Sequence, residues 1–149
     1  MNRYGVKNAM QCSSILNKTK QKYVYDNIHF DSKYEIALYI YLTDYNIDFE
    51  YAPNISFEYT FNEKRHVYIP DFVVNGIVVE IKGDHFFKDD GTMQNPFDHS
   101  QDGLYEAKHQ CMLKNNVVIL KSSDCKKYID YVEQKYGKGY LEQFKNKKQ

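Results

Sequence analysis

Apolar and polar positions along this chain change period several times, and each change marks an element. The clearest run spans residues 68–83. Two β-branched, aromatic-rich segments, 68–74 and 77–82, flank Asn75-Gly76. That dipeptide suits a two-residue type I′ turn, in which both residues need positive φ. The turn sets a register: Val74 opposite Ile77, Val73 opposite Val78, Phe72 opposite Val79, and Asp71 opposite Glu80. Side chains alternate faces along a strand. Pro70, Phe72, Val74, Ile77, Val79 and Ile81 therefore share one face, nearly all apolar. Ile69, Asp71, Val73, Val78, Glu80 and Lys82 share the other.

Upstream, residues 1–22 carry little pattern, and 8–22 fits either a short helix or an irregular arm. Residues 23–25 and 28–30 flank Asp26-Asn27 and predict a small hairpin. Ser32 followed by Glu35 is a capping box. The apolar residues after it, 36–42, cover more than one face, so this helix is expected to be largely buried and to end near 44–46. Residues 47–51 predict a short strand ended by Ala52-Pro53-Asn54. Residues 56–61 alternate and predict a strand with one wet face. A turn at 62–65 then leads into a strand over 66–74. Glu50 and Glu58, on alternating strands, are expected to face water.

Downstream, residues 84–103 form a polar stretch with five aspartates, one lysine, Gly91, Pro96, Gly103, and Phe86, Phe87 and Phe97. So long a loop in a small domain is usually functional or disordered. It reads as a lid over a site or as an insert that discriminates substrates. A helix is predicted over 104–114, with Lys108, Gln110 and Lys114 on its polar side. A buried strand follows over 117–120. Strand, helix and strand in that order permit a right-handed crossover. A last helix over 125–136, capped by Asp124, is broken by Gly137 and Gly139. A further turn at 140–144 leads into a basic tail, and the residues from 137 on interleave Tyr with Lys, a pattern that fits base stacking and phosphate contact or a plain amphipathic surface.

At 149 residues and 42% hydrophobic, the chain is expected to be a single domain, 1–149, with a real core. It has no apolar stretch long enough to cross a membrane and no signal-peptide pattern at the N-terminus. Cys12, Cys111 and Cys125 are an odd number without C-x-x-C spacing. They read as reduced cysteines of a cytoplasmic protein, with no membrane partner. Net charge is zero, but its distribution is uneven. Residues 1–25 hold five Lys or Arg and no acid, 26–103 hold fifteen acids against five bases, and 126–149 hold seven Lys against three acids. Basic ends around an acidic middle suit a metal site flanked by phosphate-contacting surface, or lysine-rich ends that are merely solvated.

The register places Asp71 and Glu80 directly opposite each other. At an effective dielectric of about 20 their repulsion is of order 3 kcal/mol. Something must neutralise the pair. Lys82, on the same face, does part of it, and a divalent cation, taking oxygen ligands, would do more. The alternative is a surface hairpin with a cross-strand salt bridge.

Pro70-Asp71, then Glu80-Ile81-Lys82 after eight residues, resembles the signature of PD-(D/E)xK nucleases. Phe30-x-Ser32-x-x-Glu35 on the first helix resembles the first acidic motif of that superfamily. The resemblance implies an α/β fold, with a restriction-endonuclease-like core and a mixed central sheet flanked by helices. Phe49-Glu50-Tyr51 and Asn75-Gly76-Ile77 add a likeness to small phage-type members, such as the phage endonuclease I junction resolvases, although the acidic loop and the Tyr/Lys C-terminus fit that group poorly.

What the resemblance implies chemically is a DNA endonuclease that uses Mg²⁺, with Mn²⁺ as substitute, and leaves 3′-hydroxyl and 5′-phosphate ends. Glu35, Asp71, Glu80 and the main-chain carbonyl of Ile81 would be metal ligands. Glu35, Asp71, Glu80 and Lys82 would form the catalytic set, with Lys82 orienting the attacking water. Lys108 and Gln110 are candidate phosphate contacts, or the solvent face of an amphipathic helix. From its own segment Glu35 is explained as well by capping. Structure-selective cleavage, nicking, an RNA or single-strand nuclease, and an inactive nucleic-acid-binding module remain open. Cutting both strands takes two active sites, which a homodimer would supply, but no exposed apolar stripe specifies one.

Overall fold

The computed structural model describes residues 22–146. The N-terminal arm expected over 1–22, Cys12, and the last residues of the basic tail lie outside them, apart from Lys22. The chain forms two compact units. Of the described residues, those up to Asn46 and from Cys125 onward build one, and Ile47 to Asp124 the other.

The first unit opens with β1 (Tyr23–Tyr25) and β2 (Ile28–Phe30), paired antiparallel. Their turn is tight because Asp26 and Asn27 both accept positive φ, 56° and 62°, as short polar side chains do more readily than others. Helix α1 (Lys33–Asp44) follows. Ser32 caps it, accepting the Glu35 N–H at 3.4 Å. Ile36, Ala37, Leu38, Ile40 and Leu42 are all buried, as their spread around the helix requires. Asn46, with φ 57°, ends it. Asp44 at the helix end accepts bonds from Tyr131 (2.8 Å), Tyr136 (2.7 Å) and Lys135 (3.2 Å). Those three residues lie on the last α-helix of the chain, Lys126–Tyr136. Tyr41 packs against Tyr128 and Tyr131 of the same helix.

The second unit holds the central sheet. β3 (Phe49–Tyr51), β4 (Phe57–Phe61), β5 (Lys64–Tyr68), β6 (Phe72–Val74) and β7 (Ile77–Lys82) come in order. Helix α2 (Asp102–Lys114) and β8 (Val118–Lys121) complete it; the Lys126–Tyr136 helix is α3. The main sheet has the order β3-β6-β7-β8. Its first two pairings are antiparallel and β7–β8 is parallel, so α2 is the crossover between parallel neighbours. The result is an α/β fold with a mixed sheet and a restriction-endonuclease-like core. Among the described residues, β4 and β5 pair only with each other.

The β6–β7 register is the one the turn dictates: Val74 with Ile77, Val73 with Val78, Phe72 with Val79. Asn75 and Gly76 take φ values of 50° and 82°. Several expectations need correction. The strand expected over 66–74 is two strands. Pro70 has no N–H to give a ladder, and the chain breaks at residues 69–71, so β5 joins β4 and β6 joins the central sheet. The turn before β5 is shorter than expected, since Asn62 and Glu63 alone take positive φ and Lys64 already pairs with Phe61. β8 is an edge strand, and Val118 is exposed rather than buried. Asp124 does not cap α3. Its Oδ2 accepts the Lys121 N–H at 2.9 Å, and the residue at the helix start is Cys125, without a side-chain cap.

The polar stretch after β7 is not structureless. Lys88 N bonds to Thr92 O at 2.8 Å and Gln94 N to Phe86 O at 2.8 Å, with Gly91 at φ 92° in the bend. Met93 is fully buried and joins a core of Tyr68, Cys111, Met112 and Val117. Most of the aspartates hold turns: Asp90 accepts from Thr92, Asp98 from Ser100, and Asp102 from Asn95. Helix α2 consequently starts at Asp102, two residues earlier than expected.

Candidate active site

Asp71 stands one residue before β6, where Pro70 has interrupted the ladder. Its carbonyl accepts the Ala52 N–H at 2.7 Å. Its carboxylate Oδ2 accepts the Ile81 N–H at 2.8 Å. The side chain thus takes up a β7 donor at the point where strand pairing stops, and its position is fixed by that bond. Glu80 follows Val79 on β7 and is only 5% exposed. A buried carboxylate needs hydrogen-bond donors. One is Tyr68 at the end of β5, whose phenol donates to Glu80 Oε1 at 2.7 Å. Burial, and next the charge of Glu80, push the Tyr68 phenol far above its ordinary range, so it remains a donor at any physiological pH.

Lys82 lies two residues beyond Glu80 on the same side of β7. Its Nζ stands 4.6 Å from the Phe86 ring centre and 5.8 Å from that of Tyr105. Lys108 on α2 brings its Nζ to 5.6 Å from the Tyr68 ring. Burial lowers the Lys108 pKa, and the Lys82 charge lowers it further, while Glu80 and Asp71 pull the other way. Two carboxylates and two ammonium groups thus interact within one cluster around Tyr68. Lys108 is the cation whose charge is set against both carboxylates.

A sequence model of the PD-(D/E)XK nuclease superfamily matches residues 21–95. The chain belongs to that superfamily. The match spans Glu35, Asp71, Glu80, Ile81 and Lys82. No curated protein and no solved structure matches the chain.

Nucleases of this superfamily typically use divalent metal ions. Among the described residues, no group of three or more His, Cys, Asp or Glu side chains is gathered that could hold one. Asp71 and Glu80 are nonetheless donors of the right kind. Mg²⁺ often takes one or two carboxylates and leaves its other positions to water and substrate phosphate. A carboxylate has about four acceptor sites, so one hydrogen bond does not exhaust it.

The other residues of this superfamily member that were singled out from the sequence fall in different places. Glu35 belongs to the first unit, in the opening turn of α1. It is buried, and its Oε1 accepts the Asp31 N–H at 3.2 Å. Gln110 is exposed and does not share the Lys108 face of α2. It lines an open groove with Glu58, Thr60 and Lys114. Asp84 turns away to the end of β8, where its Oδ1 accepts from Ser123 N and Oγ, at 3.1 and 3.0 Å. The Ser123 backbone bond is the main reason its carboxyl lies below the ordinary range. His85 folds back over Gly83, where a Cβ would fall 2.5 Å from its Cε1.

Sequence reasoning missed Tyr68, Phe86 and Tyr105. Tyr68 heads the signature stretch, but its role depends on β5 ending where it does. No spacing rule marks the other two.

Proposed function

We propose that the chain is a Mg²⁺-dependent DNA endonuclease, with Mn²⁺ able to substitute, acting as a structure-selective or nicking enzyme. The observation that carries this reading is that Asp71 is anchored on the Ile81 N–H, next to Glu80 on β7, with the Lys108 charge interacting with both carboxylates. Phosphodiester hydrolysis needs a positioned water and a neutralised phosphate. Asp71 and Glu80 would hold the ion. The resemblance adds Glu35 and the Ile81 carbonyl as further oxygen ligands. Bound there, Mg²⁺ would polarise the phosphate and lower the pKa of water. Lys82 orients the attacking water through its ammonium hydrogens and offsets phosphate charge. Lys108, poorly solvated, adds positive potential to the same place. Tyr68 holds Glu80 in one rotamer, and the Ile81 N–H does the same for Asp71.

The test is cleavage of a panel in Mg²⁺: linear duplex, supercoiled plasmid, single strand, four-way junction and RNA. Wild type should cut at least one DNA substrate, while Asp71→Ala and Lys82→Ala should be at least a hundredfold slower. Cleavage unaffected by both substitutions, or no cleavage together with no Mg²⁺ or Mn²⁺ binding lost in Asp71→Ala, would end this reading. A preference for RNA would leave the metal site and move the substrate. Double-strand cutting would call for two sites, hence a homodimer, which sedimentation would reveal.

A further inference from the structure

Beside Lys82 lies an aromatic cluster that hydrolysis does not require. Phe86 stacks on Tyr105 with ring centres 5.9 Å apart and planes 7° from parallel. Phe97 meets Phe86 edge-on at 6.1 Å and His85 at 5.6 Å. Phe97 is 78% exposed, an unusual state for a phenyl ring held among other rings. Its backbone is fixed: Asn95 Oδ1 accepts the Phe97 N–H at 2.9 Å and the Asp98 N–H at 3.1 Å, and Asp102 Oδ1 accepts the Asn95 N–H at 2.7 Å. The turn that presents the ring is therefore built without help from the ring.

We propose that Phe97, backed by Phe86 and His85, is a stacking platform for an unpaired base of a single-stranded nucleic acid whose backbone runs to Lys82. This rests on the proposed nuclease reading and names the class of substrate. Two features of the structure carry it. Lys82 is 4.6 Å from the Phe86 ring centre, so a phosphate at the ammonium puts a neighbouring base within reach of the rings. The turn around the platform is anionic, with Asp89, Asp90, Asp98 and Asp102 in sequence reach. Those carboxylates repel phosphates but not the uncharged face of a base. A duplex shows phosphates outward and hides its base faces, whereas a single strand offers them for stacking.

The chain has no tryptophan, so Phe97→Trp places a single tryptophan, excitable apart from the tyrosines, at the platform. In an Asp71→Asn background, oligothymidylate should quench it saturably, and a blunt duplex of equal length should need at least tenfold more. In the otherwise wild-type chain, Phe97→Ala should lower the single-strand to duplex ratio of kcat/KM about tenfold, through KM, as loss of one base-stacking contact does. Absent quenching, or equal quenching by duplex, overturns the platform, as it would if the patch docked a protein instead. Quenching with neither wild-type cleavage nor metal binding lost in Asp71→Ala would sink the proposed activity and leave the platform standing. Cleavage without quenching would do the reverse.

Discussion

Tyr68 donates its phenolic hydrogen to Glu80 Oε1 at 2.7 Å, and both groups are buried. This ties the last residue of β5 to the carboxylate of β7 across strands that do not pair with each other. Tyr68→Phe keeps the ring and deletes the donor. A hydrogen bond to a buried charged group is worth about 1.5–3 kcal/mol, so urea unfolding should show a loss in that range at neutral pH. Cleavage should fall as well, because Glu80 loses the bond that sets its rotamer. Unchanged stability would mean that another donor replaces the phenol.

Asp71 has two roles that substitution can separate. Its Oδ2 takes the Ile81 N–H, and its charge belongs to the proposed metal site. Asp71→Asn retains an acceptor oxygen and removes the charge, so it should stay within about 1 kcal/mol of wild type in stability while losing cleavage. Asp71→Ala removes the acceptor too and should cost about 1–3 kcal/mol. Chemical denaturation of the two variants side by side decides it. Equal stability of Ala and Asn would show that the bond to Ile81 contributes nothing.

The register that puts Asp71 near Glu80 was legible because a two-residue turn leaves the chain no freedom once Asn75 and Gly76 are fixed. Ser32 and Glu35 were legible for a similar reason, as capping acts over three residues. The break at Pro70 was also written in the sequence, as a missing donor inside a β pattern, and a strand drawn through 66–74 ignored it. Lys108, named from the sequence only as one of two candidate phosphate contacts on its helix, and Tyr68, not named as a site residue at all, are different. What brings them to Glu80 is the crossing of α2 over the sheet and the early end of β5, and neither leaves a periodic trace. Nor could composition show that Met93, amid polar residues, would be the buried anchor of the loop. The aspartates around it read as a charged flap, but most are spent on local turns, which short-range rules for Asp could have found residue by residue.

Glu35 tests the limit of such local reasoning. Its N–H and its carboxylate both serve the start of α1. If capping is its only role, Glu35→Gln, which can still accept from Asp31, should change neither stability nor cleavage much, and Glu35→Ala should cost about 1 kcal/mol. If it is also the third carboxylate the resemblance implies, Glu35→Gln should keep the wild-type melting temperature yet raise the Mg²⁺ concentration needed for half-maximal cleavage at least tenfold. We expect the second result. A full set of Mg²⁺ titrations with unshifted midpoints would reduce Glu35 to a cap.

His109 gives the fold a pH dependence of its own. It is buried on α2 with its ring 6.0 Å from Phe87, and its Nδ1 has no hydrogen-bond partner among the described residues. Burial holds its pKa below the ordinary value, with only partial opposition from the Glu106 charge. The unfolded chain then binds more protons than the folded one between the lowered value and about 6.5. Stability contributed by the neutral ring is complete above about pH 6.5 and is lost as pH falls towards the folded value. His109→Leu removes both the unpartnered nitrogen and this titration. At pH 7.5 it should be about 1 kcal/mol more stable than wild type. The gap should widen as pH drops from 7 to 5.5, because the other titrating groups are common to both chains and cancel in the difference. Urea unfolding at four pH values across that window is sufficient. A gap that stays constant would place the imidazole in contact with water or a hydrogen-bond acceptor that lets it charge freely.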